Sequence, residues 1–318
     1  MKPEILVLVP IYAPTLAALE REYVVRKLWL EKDPVAYLKK ACGGVRGVVT
    51  TGLAGCGREI VDALPGLEII ASFGSPRRNL AFDAAARRGV VVTNTPDSIT
   101  ASVADLAMGL LLAVMRRICE GDRFLRAGKW MEGPFTPGRE LGAKTCGIVG
   151  LGAIGREVAR RAEAFGMSVC YHGPRRKPDA PWPFHAVLED LARASDCLVV
   201  TCPLTPGTRG MVDARILEAL GPDGFLVNVA RGAIVDEEAL IAALRDRRIA
   251  GAGLDVFWDE PRVSPELIGQ DNAVLLPHIG STTREIREER GRKVLENLRA
   301  RFAGEAVPHP VTKPHQLD

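Results

Sequence analysis

The chain has 318 residues, 47% of them hydrophobic and 25% charged, and a formal net charge of +3. That length and balance belong to a soluble globular protein with room for two domains, and the dispersed basic residues leave no nucleic-acid footprint. The seven cysteines (Cys42, Cys56, Cys119, Cys146, Cys170, Cys197 and Cys202) form no C-x-x-C pair, which reads as scattered thiols in a reducing compartment.

Taken in chain order, the first hundred residues alternate short apolar runs with helical stretches. Strands are expected over residues 4–9, 46–50, 67–72 and 90–93, each rich in aliphatic residues and bounded by Gly, Pro or charge. Helices are expected between them, at 33–41 and 80–88. The apolar run 5–9 is too short for a signal segment or a membrane span. The longer run 103–115 contains Asp105 and is also too short, so it reads as a buried or interface helix. The expected location is the cytoplasm, with no membrane partner.

A second series of strands is expected at 145–149, 168–172, 197–202, 224–229, 250–255 and 273–276, with helices such as 155–165 and 237–245 between them. A final helix over 283–302, stopped by Gly304, closes the chain. Alternating strands and helices favour parallel sheets covered on both faces. The expected fold is therefore α/β, with two doubly wound parallel-sheet domains and an interdomain cleft. Residues 1–98 would form a flavodoxin-like substrate domain, completed by 279–318; residues 99–278 would form the Rossmann dinucleotide-binding domain. The crossings are expected near 95–100 and near Pro277.

After the strand at 145–149 comes Gly150-Leu151-Gly152-Ala153-Ile154-Gly155, followed by a helical run. This is a dinucleotide fingerprint in its required strand–turn–helix setting. Gly150 would permit the tight turn, Gly152 the approach of a pyrophosphate, and Gly155 the close packing of helix on strand. An NAD site usually carries an acidic residue about 20 positions further on, bonded to the ribose 2′-hydroxyl. Here the next strand ends Cys170-Tyr171-His172-Gly173 and continues Pro174-Arg175-Arg176-Lys177. With no carboxylate to repel a 2′-phosphate, and guanidinium groups able to bind one, the reading is NADP(H) in preference to NAD(H), with Arg175 and Arg176 as the main ligands. A solvated basic turn is the plain alternative.

Three polar residues follow expected strands of the same domain: Arg231 after 224–229, Glu260 after 250–255, and His278 after 273–276. In open α/β sheets, ligands gather at the carboxyl ends of the strands.

The runs Asn228-Val229-Ala230-Arg231-Gly232, Asp259-Glu260-Pro261 and Pro277-His278-Ile279-Gly280-Ser281 resemble the D-isomer-specific 2-hydroxyacid dehydrogenase family, as do Cys202-Pro203-Leu204-Thr205-Pro206 and the run 251–257. Within that family the chain looks most like the NADPH-dependent glyoxylate/hydroxypyruvate and hydroxyphenylpyruvate reductases. The resemblance implies reduction of small 2-oxo acids to D-2-hydroxy acids. His278 would donate the proton, Glu260 would hold and charge its imidazole, and Arg231 would pair with the substrate carboxylate. It also assigns Ala153, Ile154, His172, Lys177, Pro203, Thr208, Val229, Asp255 and Gly280 to the cofactor. Leu53, Ala54 and Gly55, in a small-residue loop whose N–H groups could form an anion nest, are assigned to the substrate together with Gly74 and Ser75. A homodimer built through the region of Trp130 and Phe135 is implied as well, and no metal site is read.

Two departures stand out: Pro76 occupies the place of a common Asp, and Pro174 that of a common Arg. Two alternatives remain open at this level. One is an NAD-dependent phosphoglycerate-type dehydrogenase; the other is a non-catalytic dinucleotide-sensing protein of the corepressor kind.

Overall fold

The computed structural model describes residues 2–74, 79–96 and 99–311. The chain forms two compact units, Met1–Ser98 with Thr283–Asp318, and Ile99–Thr282.

Among its described residues the first unit holds five parallel strands: β1 (Glu4–Val7), β2 (Val24–Lys27), β3 (Val45–Thr51), β4 (Ile69–Phe73) and β5 (Val91–Thr93). Their order is β2-β1-β3-β4-β5. Side chains alternate across the pleat, yet both faces are apolar, as a sheet covered on both sides requires. Ile5, Val7, Val49, Ile69 and Ala71 pack towards Leu19, Val294, Leu295 and Leu298, from helices Ala13–Glu22 and Arg284–Phe302. Leu6, Leu8, Val48, Ile70 and Val92 pack towards Leu38, Val61 and Ala85 on the other face. Each such buried Val, Leu or Ile side chain contributes about 1.5–3 kcal/mol. A Cβ on Gly47 would stand 3.1 Å from Phe302 and 3.3 Å from Leu298, so the missing side chain admits the last helix.

That helix begins where Thr283 accepts the Ile286 N–H, and it returns to the first unit. Its fully buried Asn297 donates to the Asn94 carbonyl and accepts from the His309 amide. The edge strand β2 and helix Ala13–Glu22 were not visible in the hydrophobic pattern. β2 reads Val-Val-Arg-Lys, and no residue of it is fully buried.

The second unit holds seven parallel strands: β6 (Thr145–Val149), β7 (Ser168–His172), β8 (Phe184–His185), β9 (Cys197–Val200), β10 (Phe225–Asn228), β11 (Gly251–Leu254) and β12 (Ala273–Leu275). The order is β12-β11-β10-β9-β6-β7-β8. The order reverses at β6, the switch point where such sheets bind ligands. The apolar run near 103–115 is helix Thr100–Met115, which lies buried against this sheet. Gly251 and Gly253 of β11 make the approach possible: a Cβ there would stand 2.7 Å from Val114 and 3.0 Å from Leu110. No helix among the described residues is long and apolar enough to cross a membrane.

This unit runs to Thr282 rather than to His278. The reason is local: the buried Asp255 carboxylate accepts the N–H groups of Ile279 (2.7 Å) and Gly280 (2.8 Å), tying that segment to β11.

Candidate active site

The glycine turn follows β6 and leads into helix Ala153–Ala164. Its three glycines serve three different ends. Gly150 sits at φ +100°, and a Cβ there would lie 2.6 Å from Cys202 Cα. Gly155 faces the turn itself, where a Cβ would lie 2.4 Å from the Gly150 carbonyl and 2.9 Å from Thr201 Oγ1. Thr201 in turn donates to that carbonyl at 2.7 Å. Gly152 meets nothing within 4 Å and caps the helix without a side-chain hydrogen bond. The first-turn N–H groups, at Ala153 and Ile154, therefore have no side-chain acceptor and lie at the positive end of the helix dipole. This arrangement fits a pyrophosphate.

From β7, the His172 carbonyl accepts the Gly150 N–H at 2.9 Å. The His172 ring bonds through Nδ1 to the His185 carbonyl at 3.0 Å. Arg175 and Arg176 are exposed and enter no ion pair among the described residues, while Lys177 is half-buried. Pro203 and Thr208 close a small loop: the Thr208 hydroxyl donates to the Pro203 carbonyl and accepts the Thr205 N–H, both at 2.7 Å. Val229 is buried just beyond β10.

At the carboxyl ends of β10, β11 and β12 stand Arg231, Glu260 and His278. Glu260 and His278 meet, with Oε2 to Nδ1 at 2.7 Å. Oε1 accepts the Phe257 N–H at 3.1 Å, so each carboxylate oxygen has one donor. A carboxylate can only accept, so Nδ1 carries a proton and Nε2 is the nitrogen left for a ligand. The pair is partly exposed, at 32% for the His278 side chain and 25% for Glu260. His278 adopts the left-handed conformation, φ 54°, directly before the two amides held by Asp255. Burial raises the Asp255 carboxyl above the usual Asp range, against the lowering effect of those two amides and of His278.

Arg231 is exposed and bonds through Nη1 to the Ala230 carbonyl at 2.7 Å. The buried Asn228 shapes this corner. Its amide donates to the Arg231 carbonyl and accepts the Ala230 N–H, both at 3.0 Å. Gly232 presses against the next loop, where a Cβ would stand 2.1 Å from Phe257 C, so the loop bearing Arg231 and the loop leading to Glu260 share one contact. In the sequence Asn228 is one residue of the run 228–232. Its role depends on a turn that a linear pattern does not reveal.

In the first unit, the expected nest at 53–55 needs correction. The Ala54 N–H goes to Thr51 Oγ1 (3.1 Å) and the Gly55 N–H to the Thr51 carbonyl (2.9 Å). The turn is tight enough to satisfy itself, and of the three N–H groups only that of Leu53 lacks an internal acceptor among the described residues. Gly55 sits at φ +69°, and Asn79 fills the space a Cβ would need; Asn79 Nδ2 also donates to the Leu53 carbonyl at 2.7 Å. Gly74, at φ +98°, donates to Thr95 Oγ1 at 2.8 Å. Ser75, and the departure at Pro76, lie outside the described residues.

A glycine turn built for a pyrophosphate, with a carboxylate-supported imidazole on the same sheet, defines a pyridine-nucleotide oxidoreductase. Residues 108–280 match the NAD-binding domain of the D-isomer specific 2-hydroxyacid dehydrogenases. The chain belongs to that family. It is 43% identical to glyoxylate/hydroxypyruvate reductase A of Arabidopsis thaliana over 92% of this chain and 94% of that one. It is equally close, at 43% and the same coverage, to hydroxyphenylpyruvate reductase of Plectranthus scutellarioides. Among solved structures it resembles the NADPH-dependent glyoxylate/hydroxypyruvate reductase of Sinorhizobium meliloti in complex with citrate. There the TM-score is 0.86 and the identity 39%, over 98% of this chain and 99% of that one.

Proposed function

We propose that this protein reduces small 2-oxo acids, such as glyoxylate, hydroxypyruvate or a phenylpyruvate, to D-2-hydroxy acids with NADPH. The observation that carries the reading is the Glu260–His278 bond of 2.7 Å at the ligand-binding end of a dinucleotide sheet. The reduced nicotinamide, when bound, supplies the hydride. His278 delivers a proton from Nε2 to the substrate oxygen, on which negative charge develops. Glu260 keeps the Nδ1 proton in place and stabilises the cationic ring. Arg231 pairs with the substrate carboxylate and polarises the neighbouring carbonyl, since a 2-oxo acid presents both groups on adjacent carbons.

NADP(H) is proposed over NAD(H). The support is the strand end without a carboxylate, the exposed Arg175 and Arg176, and the NADPH dependence of the Sinorhizobium reductase. A homodimer is proposed through the segment that exposes Ile118, Leu125, Trp130 and Met131, apolar side chains that a monomer would leave in water. The seven free thiols support a cytoplasmic location.

The test is NADPH oxidation against a panel of 2-oxo acids of rising size, for the native chain and His278→Ala. The variant is expected to lose turnover and keep NADPH affinity. An active variant, or a native chain inert towards the whole panel, overturns the proposal.

A further inference from the structure

The basic loop that carries Arg175 and Arg176 is strapped down. It leaves β7 after His172 and returns at β8, where Tyr171 pairs with Phe184 and His172 with His185. Between those ends lie four prolines, Pro174, Pro178, Pro181 and Pro183, which remove backbone freedom before any ligand arrives. Three side-chain bonds then fix the loop's path. The Tyr171 ring is 1% exposed, within the cluster that includes Val158 and Ala159 of the glycine-turn helix, and its hydroxyl accepts the Lys177 N–H at 2.7 Å. Arg156, in the first turns of that helix, pairs with Asp179 at 2.9 Å and holds its carboxyl below the usual Asp range. Trp182 Nε1 donates to Glu163, further along the same helix, at 2.8 Å.

We propose that Tyr171, and with it Trp182, are positioning residues for cofactor choice. They hold the basic loop in one shape against the glycine-turn helix, so that Arg175 and Arg176 meet a 2′-phosphate without first being ordered. The proposal rests on the reading of those two arginines as the phosphate ligands. A preorganised loop gains affinity by avoiding ordering costs at the moment of binding. NADPH and NADH differ only in the 2′-phosphate, so loss of a strap weakens NADPH selectively, whereas general damage to the fold weakens both.

The experiment is calorimetric titration of Tyr171→Phe, the Arg175→Ala/Arg176→Ala double variant and the native chain with NADPH and with NADH. Loss of the single Tyr171–Lys177 hydrogen bond is expected to raise the NADPH Kd about 5- to 10-fold and to leave the NADH Kd within about twofold. The double variant is expected to bind the two cofactors equally. If the double variant loses its preference while Tyr171→Phe keeps the native ratio, the positioning role is overturned and the ligand reading stands. If the double variant keeps its preference for NADPH, the ligand reading falls and the inference with it. If Tyr171→Phe does not fold, Trp182→Phe, which cuts the Glu163 tether, is judged by the same ratio.

Discussion

Glu260→Gln puts the arrangement around His278 under the sharpest strain. Both carboxylate oxygens of Glu260 are in use, one accepting from Phe257 N–H and the other from His278 Nδ1. Glutamine has the same shape but only one acceptor oxygen. If that oxygen turns to Phe257, the amide NH2 faces Nδ1 and forces off its proton, which removes the form of the ring that can give a proton from Nε2. If the oxygen turns to His278, the NH2 opposes the Phe257 N–H and the loop is left with two donors in contact. Either way one hydrogen bond to a charged group is lost, worth about 1.5–3 kcal/mol. If that bond is made in the transition state, kcat/KM falls about ten- to a hundredfold. The assay is steady-state NADPH oxidation with hydroxypyruvate, alongside calorimetric titration of NADPH. The loss is expected in kcat with cofactor affinity unchanged. A variant within about threefold of the native kcat/KM would refute the positioning argument, since that gap is under 1 kcal/mol.

Arg231→Lys keeps the charge but loses the planar fork, so kcat/KM is expected to fall on the order of 100-fold, with KM for the 2-oxo acid rising; a change under about fivefold would count against a paired contact. The turn glycines separate by readout. Gly155→Ala drives a Cβ to 2.4 Å from the Gly150 carbonyl and is expected to cost about 1–3 kcal/mol, seen as a Tm lower by several degrees. Gly152→Ala meets open space and is expected to melt normally, but in the proposed cofactor site its methyl would stand in the path of the pyrophosphate, and NADPH binding is expected to drop about tenfold or more, which calorimetry reads. Burial pushes the Cys56 thiol up to about 12 and that of Cys202 to about 11, so neither forms thiolate at pH 8. A disulfide reagent is expected to titrate the half-exposed Cys119 quickly in the native protein and the buried six only after unfolding; rapid reaction of more than one thiol would contradict this burial.

How much the chain announces about itself depends on the range of the signal. The strands buried on both faces were legible because their periodicity is local: Thr145–Val149 and Ser168–His172 stand where the hydrophobic runs put them. The glycine turn was legible because each glycine answers to a backbone constraint within a few residues. Val24–Lys27 and Phe184–His185 were not, because an edge strand needs only one partner and carries no continuous apolar run. At 53–55, the run of small residues suggested an anion nest, but Thr51 takes the N–H groups of Ala54 and Gly55.

Residue types and their order were enough to set the α/β class, the dinucleotide turn and the candidates Arg231, Glu260 and His278, since each is written in a short run of sequence. Tertiary structure alone decided that Glu260 divides its two oxygens between Phe257 and His278, that Asp255 holds the two amides after His278, and that Tyr171 reaches Lys177 across the loop. Those bonds join groups that become neighbours only once parallel strands have brought their carboxyl ends together or a loop has closed back on its own strand, and no local pattern encodes that distance.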